Sequence, residues 1–301
     1  MNQPLLFIKP HAMAHPGVVA WVEERLAQAG LTVRGRRELT GGEVASGGMV
    51  DRHYAANARA ALCADPGQLP VDEPAQARFR ERFGEEWHAA VRAGRVAGAR
   101  VAQQRLGVTG EELNRRWAAA EMIKLAGGLY VARMPGTGGY LLNGFYPSIR
   151  EVFTHPDARL LVLLAEFDPA ALTWQRFRDE VIGATNPAAA DPKSIRGALH
   201  RRQTEFGLTV TYRENVIHAS ASAFEALLEK PIWLPGWTAA DEPLWRLLDG
   251  TWFSLGRLEA WRVANPLVCL DGRRAGLLDL LENLDTEPTA AVLRRLTDAM
   301  G

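Results

Sequence analysis

Leu160 to Phe167 is a nearly continuous apolar run, interrupted only by Glu166. A run of that length reads as a well-buried central strand, and such a strand needs partners on both edges. Leu5 to Ile8 supplies a first strand. Pro16-Gly17 then opens an apolar-periodic helix (Val18, Val19, Val22, Leu26) that Gly30 closes. Leu31 to Leu39 alternates apolar and basic residues, the pattern of a half-exposed strand, and Trp174 to Ile182 reads as a helix. Val216 to His218 is a last short strand, with Val210 to Tyr212 as an extension ahead of it, and a helix carrying Phe224, Leu227 and Leu228 follows. Strand-helix-strand repeated twice fits an α/β (α+β) fold of ferredoxin-like type, an antiparallel sheet sandwich with helices on one face.

Two segments fall outside that pattern. After a helix expected around Ala45–Ala61, Pro66, Pro70 and Pro74 mark a loop. Residues 73–126 place Trp87, Val91, Leu106, Leu113, Trp117 and Ile123 at broadly helical spacing, so residues 65–139 are expected to form an inserted helical subdomain. Gly127-Gly128 and Pro135-Gly136-Thr137-Gly138-Gly139 mark its exit, and the second cluster lacks the Lys-Ser/Thr of a P-loop. Residues 235–301 are expected to form a helical C-terminal extension, with Trp237, Trp245, Trp252 and Trp261 and leucines at helical spacing. It either packs on the core or a neighbouring subunit, or walls the active site. The expected domains are 1–64 with 140–234, then 65–139 as the insertion and 235–301 as the extension.

Composition narrows the function classes. The 301 residues balance 35 Lys and Arg against 35 Asp and Glu, so no bulk attraction to nucleic acid or anionic membrane is expected. No run of about 18 apolar residues predicts a membrane span, and no leader pattern is visible. Cys63 and Cys269 lack metal-ligand spacing and are expected as thiols of a cytoplasmic protein, and the seven histidines are not expected to build a tight zinc site. No protein-bound metal is expected.

The chemistry concentrates in Asn215-Val216-Ile217-His218-Ala219-Ser220-Ala221-Ser222, with Glu229 eleven residues beyond the histidine. A strand delivers His218, and the following helix carries Glu229 back toward the ring. A nucleophilic histidine needs one ring nitrogen fixed so that the other presents its lone pair. Lys9, Arg196 and either Arg178 or Arg176 supply positive charge for phosphates, and Thr185 and Tyr54 supply neutral donors.

Phe7-Ile8-Lys9-Pro10, His53-Tyr54, Gly183-Ala184-Thr185-Asn186-Pro187 with Ser194-Ile195-Arg196-Gly197, and the Asn215-to-Ser220 motif occur in the order found in nucleoside diphosphate kinases. The chain resembles that family over roughly residues 4–56 and 140–234. The resemblance implies that His218 takes the terminal phosphate of a nucleoside triphosphate and passes it to a nucleoside diphosphate. Glu229 then fixes the ring, with Ser220 in support. It also implies sugar and phosphate contacts from Lys9 and Asn215, and phosphate-side roles for Tyr54, Thr185 and Arg196. A base clamp is implied near Phe145-Tyr146, with Phe145 preferred. Arg178 lies one residue off the family position relative to Gly183. Magnesium is implied as a passenger on the nucleotide phosphates, and a homo-oligomer is implied.

The chain departs from the family at His11, Ala198 and Ala219–Ala221, where acidic or glycine residues are usual. Those departures and the two added segments keep two further functions open. One is the same phosphohistidine chemistry on a specialised phosphorylated acceptor. The other is a nucleotide-binding module without catalysis.

Overall fold

The computed structural model describes residues 1–135, 138–248 and 253–300, with only the backbone described at 297–300. Trp252 and the Gly136-Thr137 part of the glycine cluster lie outside the described residues. The described chain divides into two compact units. One is Met1–Glu43 with Pro156–Gly301, the other Val44–His155. The strands in chain order are β1 (Leu5–Ile8), β2 (Thr32–Thr40), β3 (Val96–Gly98), β4 (Glu121–Ala126), β5 (Leu129–Met134), β6 (Gly139–Leu142), β7 (Arg159–Glu166), β8 (Ile217–Ala219), β9 (Leu267–Leu270) and β10 (Arg273–Gly276).

In the first unit the strand order is β2-β7-β1-β8 with every neighbour antiparallel. This is the ferredoxin-like arrangement, with the second unit's residues running between β2 and β7. The apolar run Leu160–Phe167 corresponds to β7, which sits between β2 and β1 as a central strand. Leu6 and Ile8 of β1 and Leu161, Leu163 and Ala165 of β7 join Val18, Val22 and Leu26 of the helix Pro16–Gln28 in one core. Because side chains alternate across a strand, Phe7 points to the other face, opposite His218 in the register. Strand β2 is an edge and carries Arg34, Arg36, Arg37 and Glu38, charges of the kind that discourage indiscriminate edge-to-edge pairing.

The C-terminal residues extend that same core. Leu244, Leu248, Leu258, Leu277, Leu281, Leu293 and Leu296 are buried in it, and Trp237, Trp245 and Trp261 pack against it. A buried ion pair links this segment to the helix Ala223–Trp233. Lys230, fully buried, donates to Glu242 and, at 2.8 Å, to Gln3 Oε1. To the expected helices this segment adds the β9-β10 hairpin.

The second unit also combines helices with a sheet, ordered β3-β6-β5-β4. Phe79 meets Phe83, Trp87 and Tyr140 edge-on at 4.8–5.3 Å in its core. Trp87, Leu113 and Trp117 are buried in helices as expected, but Ile123 belongs to β4 and Leu106 is exposed. Gly127-Gly128 turns β4 into β5, with Gly128 at φ 68°, and does not mark an exit from a helical region. The single helix expected around Ala45–Ala61 is three short ones, Gly41–Ser46, Met49–His53 and Ala55–Ala61. Left-handed Gly48 and non-helical Tyr54 make the breaks. Among the described residues no helix is long and apolar enough to cross a membrane.

Candidate active site

His218 is the middle residue of the three-residue strand β8. The expected strand start at Val216 is instead a turn. Ile217 N donates to Asn215 O at 2.8 Å, and Val216 between them has φ 70°. A β-branched residue at positive φ is a backbone outlier, and the three-residue turn it closes is a strained one. The turn sends the Asn215 side chain back toward Lys9 while Ile217 enters the sheet. The extension expected at Val210–Tyr212 is a loop closed by Thr211 N donating to Glu214 O.

On the far side of His218, Trp174 Nε1 donates to Ser220 O at 3.1 Å and fixes the strand end. Ser222 then caps the helix Ala223–Trp233 by accepting from Glu225 N. Two turns into that helix, Glu229 returns to the histidine. Its Oε1 and Oε2 lie 3.1 and 3.2 Å from His218 Nε2. Ser220 Oγ is 2.6 Å from Glu229 Oε2 and 3.1 Å from Leu5 O. Leu5 N donates to the same hydroxyl at 3.1 Å. Phe7 stacks on the imidazole at 4.5 Å and 17°. Glu229 is 4% exposed, so its carboxylate is held by these partners and not by water. With Nε2 committed to the carboxylate, the remaining ring nitrogen, Nδ1, is the one whose lone pair suits attack.

A second group of polar residues surrounds Lys9, just past β1. Its Nζ donates to Asn215 Oδ1 at 2.6 Å and to Arg213 O at 3.3 Å. Asn215 Nδ2 in turn donates to Thr185 O at 3.0 Å. Burial, reinforced by the Arg196 charge, pushes the Lys9 ammonium down to about 8. Burial and Lys9 likewise push His11 down to about 4, so His11 is neutral at physiological pH. Thr185 is exposed and contributes its carbonyl.

Arg196 is buried, and its two terminal nitrogens each donate at 2.8 Å to a backbone carbonyl, Gly183 O and Ile217 O. It therefore ties the Gly183 loop to the histidine strand, a bracing role that the expectation of direct phosphate binding did not include. Gly183 is required where it is. It has φ 91°, and a Cβ there would lie 2.2 Å from Ser194 Oγ. The helix expected over Trp174–Ile182 is one α turn, Trp174–Arg176, followed by a π-helical stretch, Phe177–Ile182, where Gly183 N donates to Arg178 O at 2.9 Å. A π turn takes one more residue than an α turn between the same hydrogen-bonded ends. Arg176 pairs with Glu180 on the surface, which leaves Arg178 as the arginine directed elsewhere.

The first unit thus brings together Lys9, Arg178, Thr185, Arg196, Asn215, His218, Ser220 and Glu229. Tyr54 and Phe145 belong to the second unit. There both pack against the cluster of Leu113, Trp117 and Tyr146. Phe145 meets Trp117 and Tyr130 edge-on at 5.8 and 5.9 Å. Tyr146 is fully buried and donates to Asp51 Oδ1 at 2.6 Å, which excludes it as an exposed clamp and leaves Phe145 as the half-buried ring of the pair.

Sequence reasoning missed Phe7 as the stacking partner, although its position two residues before Lys9 on a strand was a usable signal. It also missed Glu225, whose carboxyl is pushed up to about 7 by burial and by the nearby Glu229. The C-terminal contacts to Arg178 were missed as well. They join residues about a hundred positions apart, and no local pattern carries them.

No family model matches the chain. A curated nucleoside diphosphate kinase from Geotalea daltonii is 29% identical over 125 residues, covering 41% of this chain and 82% of that protein. Among solved structures, nucleoside diphosphate kinases from Encephalitozoon cuniculi and Aquifex aeolicus each match at 14% identity and TM-score 0.39. They cover 78% of this chain and 89% and 96% of theirs. An NDP kinase from Pyrobaculum aerophilum matches at 20% identity and TM-score 0.37, over 78% of this chain and 96% of its own.

Proposed function

The chain belongs to a nucleoside diphosphate kinase-like family, and on that premise we propose that it transfers the γ-phosphoryl group of a nucleoside triphosphate to a nucleoside diphosphate through His218. The observation that carries this reading is the orientation of the imidazole. Glu229 holds Nε2, Ser220 braces Glu229, and Phe7 fixes the ring plane.

The steps balance simply. The Nδ1 lone pair attacks the γ-phosphorus, and the bond from that phosphorus to the β-γ bridging oxygen breaks. The nucleoside diphosphate leaves with the electron pair. Positive charge that develops on the ring is compensated through Nε2–H by the Glu229 carboxylate. A β-phosphate oxygen of the acceptor then attacks the same phosphorus, and the Nδ1–P bond breaks. Nearly all of the catalysis is positioning and charge stabilisation. Lys9 and Arg178 supply positive charge to the phosphates, with Arg196 adding to it from behind the loop. Asn215 and Thr185 border the sugar and phosphate side, and Tyr54 and Phe145, carried by the second unit, keep the nucleotide roles that the resemblance implies for them. Because Glu229 is committed to His218 and Ser220, magnesium enters as part of the magnesium–nucleotide substrate.

Incubation with γ-labelled ATP tests the reading. It should give acid-labile, base-stable label on the wild-type chain and none on His218→Ala; a variant that keeps both label and exchange activity would refute it. The departures at His11 and Ala219–Ala221, together with the C-terminal residues near the site, favour a second reading with a specialised phosphorylated acceptor. Broad turnover of ordinary nucleoside diphosphates would eliminate that version. Assembly into a homo-oligomer is part of the proposal and is measured by light scattering.

A further inference from the structure

Arg178 is held in an uneven way. Among the described residues, its hydrogen bonds run through one nitrogen, Nη1. That atom donates to Glu282 Oε1 at 2.7 Å, Asn283 Oδ1 at 3.3 Å and Ala221 O at 3.4 Å. Among the described residues no protein acceptor is bonded to Nη2 or Nε. The side chain retains 23% of its exposure.

The residues that hold it are themselves anchored. Glu282 ends the helix Leu277–Leu281, and Asn283 follows in the left-handed region with φ 65°. Asn283 N donates to Ala221 O at 3.0 Å, in the loop that directly follows His218 and Ser220. Two residues on, Asp285 Oδ1 accepts from Trp174 N and from Asn2 Nδ2, each at 2.6 Å. Thr286 N donates to Asn2 Oδ1 at 3.0 Å. Residues 282–286 therefore form a strap from the chain's second residue, past the α turn Trp174–Arg176 that precedes the π-helical segment, to the loop after the histidine.

We infer that Glu282 and Asn283 are positioning residues for Arg178, holding its guanidinium by one nitrogen so that the Nε–Nη2 edge can take two oxygens of a substrate phosphate. This rests on the phosphotransfer reading above. A guanidinium edge with two parallel donors matches phosphate geometry, and an arginine already fixed in place loses less side-chain freedom on binding. Glu282 keeps 47% of its exposure, so water screens its charge and it orients the cation without cancelling it.

The full-length chain carrying Glu282→Ala, Glu282→Gln, Arg178→Ala or the double change Glu282→Ala/Arg178→Ala tests this. The readouts are magnesium–ADP affinity by calorimetry and phosphorylation of His218 by ATP. Glu282→Ala should weaken affinity about fivefold and raise KM with little change in the rate at saturation. Glu282→Gln, which keeps an acceptor for Nη1, should stay within about twofold of wild type on the same scale. The Glu282→Ala change should add nothing once Arg178 is gone. The inference is overturned if Glu282→Ala binds nucleotide as tightly as wild type or more tightly. It is equally overturned if the loss persists undiminished in the Arg178→Ala background. Label on His218 with an inert Glu282→Ala sinks the positioning role and leaves the phosphotransfer standing. Nucleotide binding that depends on Glu282 without any label does the reverse.

Discussion

The Ser220 hydroxyl lies 2.6 Å from Glu229 Oε2, and Glu229 Oε1 lies 3.1 Å from His218 Nε2. Two residues past the histidine, a small side chain fixes the carboxylate that fixes the ring. A buried hydrogen bond to a charged group is worth about 1.5–3 kcal/mol. Ser220→Ala is therefore expected to slow formation of the phosphoenzyme by about ten- to a hundredfold. Quench-flow with labelled ATP measures it, and a rate equal to wild type would remove Ser220 from the relay.

Lys9 carries a pH dependence. Its ammonium is shifted down to about 8 in the folded chain, mainly by burial. The charged form is thus disfavoured in the folded state, and this penalty is fully present below pH 8. Between about 8 and the ordinary lysine value the unfolded chain binds more protons, so this group's contribution to stability rises with pH. Phosphate affinity should move the opposite way and decline as pH passes 8, because the neutral amine no longer attracts the anion. Calorimetric titration with magnesium–ADP across pH 7–9 checks this, and Lys9→Arg should remove the inflection.

Val216 is both buried and strained, with φ 70° and no exposed surface. At an ordinary buried site a glycine variant is less stable than an alanine variant by about 1 kcal/mol. Here glycine also releases backbone strain of about 1–3 kcal/mol. Val216→Gly should therefore be at least as stable as Val216→Ala, although both fall below wild type through lost packing. Urea denaturation of the pair decides it, and the usual order would show that the turn stores no strain.

The pair of Lys230 and Glu242 is expected to behave asymmetrically. Lys230 is fully buried and Glu242 2% exposed. Removing either partner alone strands a buried charge and should cost about 3–5 kcal/mol. Replacing both with apolar residues, Lys230→Met with Glu242→Leu, should cost much less or nothing. Chemical denaturation of the two single variants and the double variant measures this. Near-neutral single variants would contradict the burial of the pair.

Much of the first unit's sheet was legible from short-range pattern. The runs at Leu5–Ile8 and Leu160–Phe167 became β1 and β7, displaced by no more than a residue, because apolar continuity and strand burial are the same constraint. The eleven-residue spacing from His218 to Glu229 anticipated a contact that a capped helix delivers. The remainder depended on information that local pattern does not hold. Valine is a strand former, so by pattern Val216 belongs to β8, whereas in the fold it closes the turn before it. Ile123 fits helical and alternating spacing alike, and only its pairing with Val131 makes it a strand residue. The π turn at Phe177–Ile182 changes the register of Arg178 without altering composition. Glu282 reaches Arg178 only because the C-terminal helices fold back onto the core.

Gly41 N donates to Ala158 O at 2.8 Å, and Thr40 is paired with Arg159. The chain therefore leaves the first unit's sheet and re-enters it at neighbouring backbone positions, as it would through an ordinary hairpin turn. Everything between Val44 and His155 is, for the sheet's alignment, a guest in that hairpin. A short turn in its place would leave β2 and β7 aligned, while discarding Tyr54 and Phe145. On the proposed roles, such a chain would separate the power to carry phosphate on a ring nitrogen from the power to grip the nucleotide that delivers it.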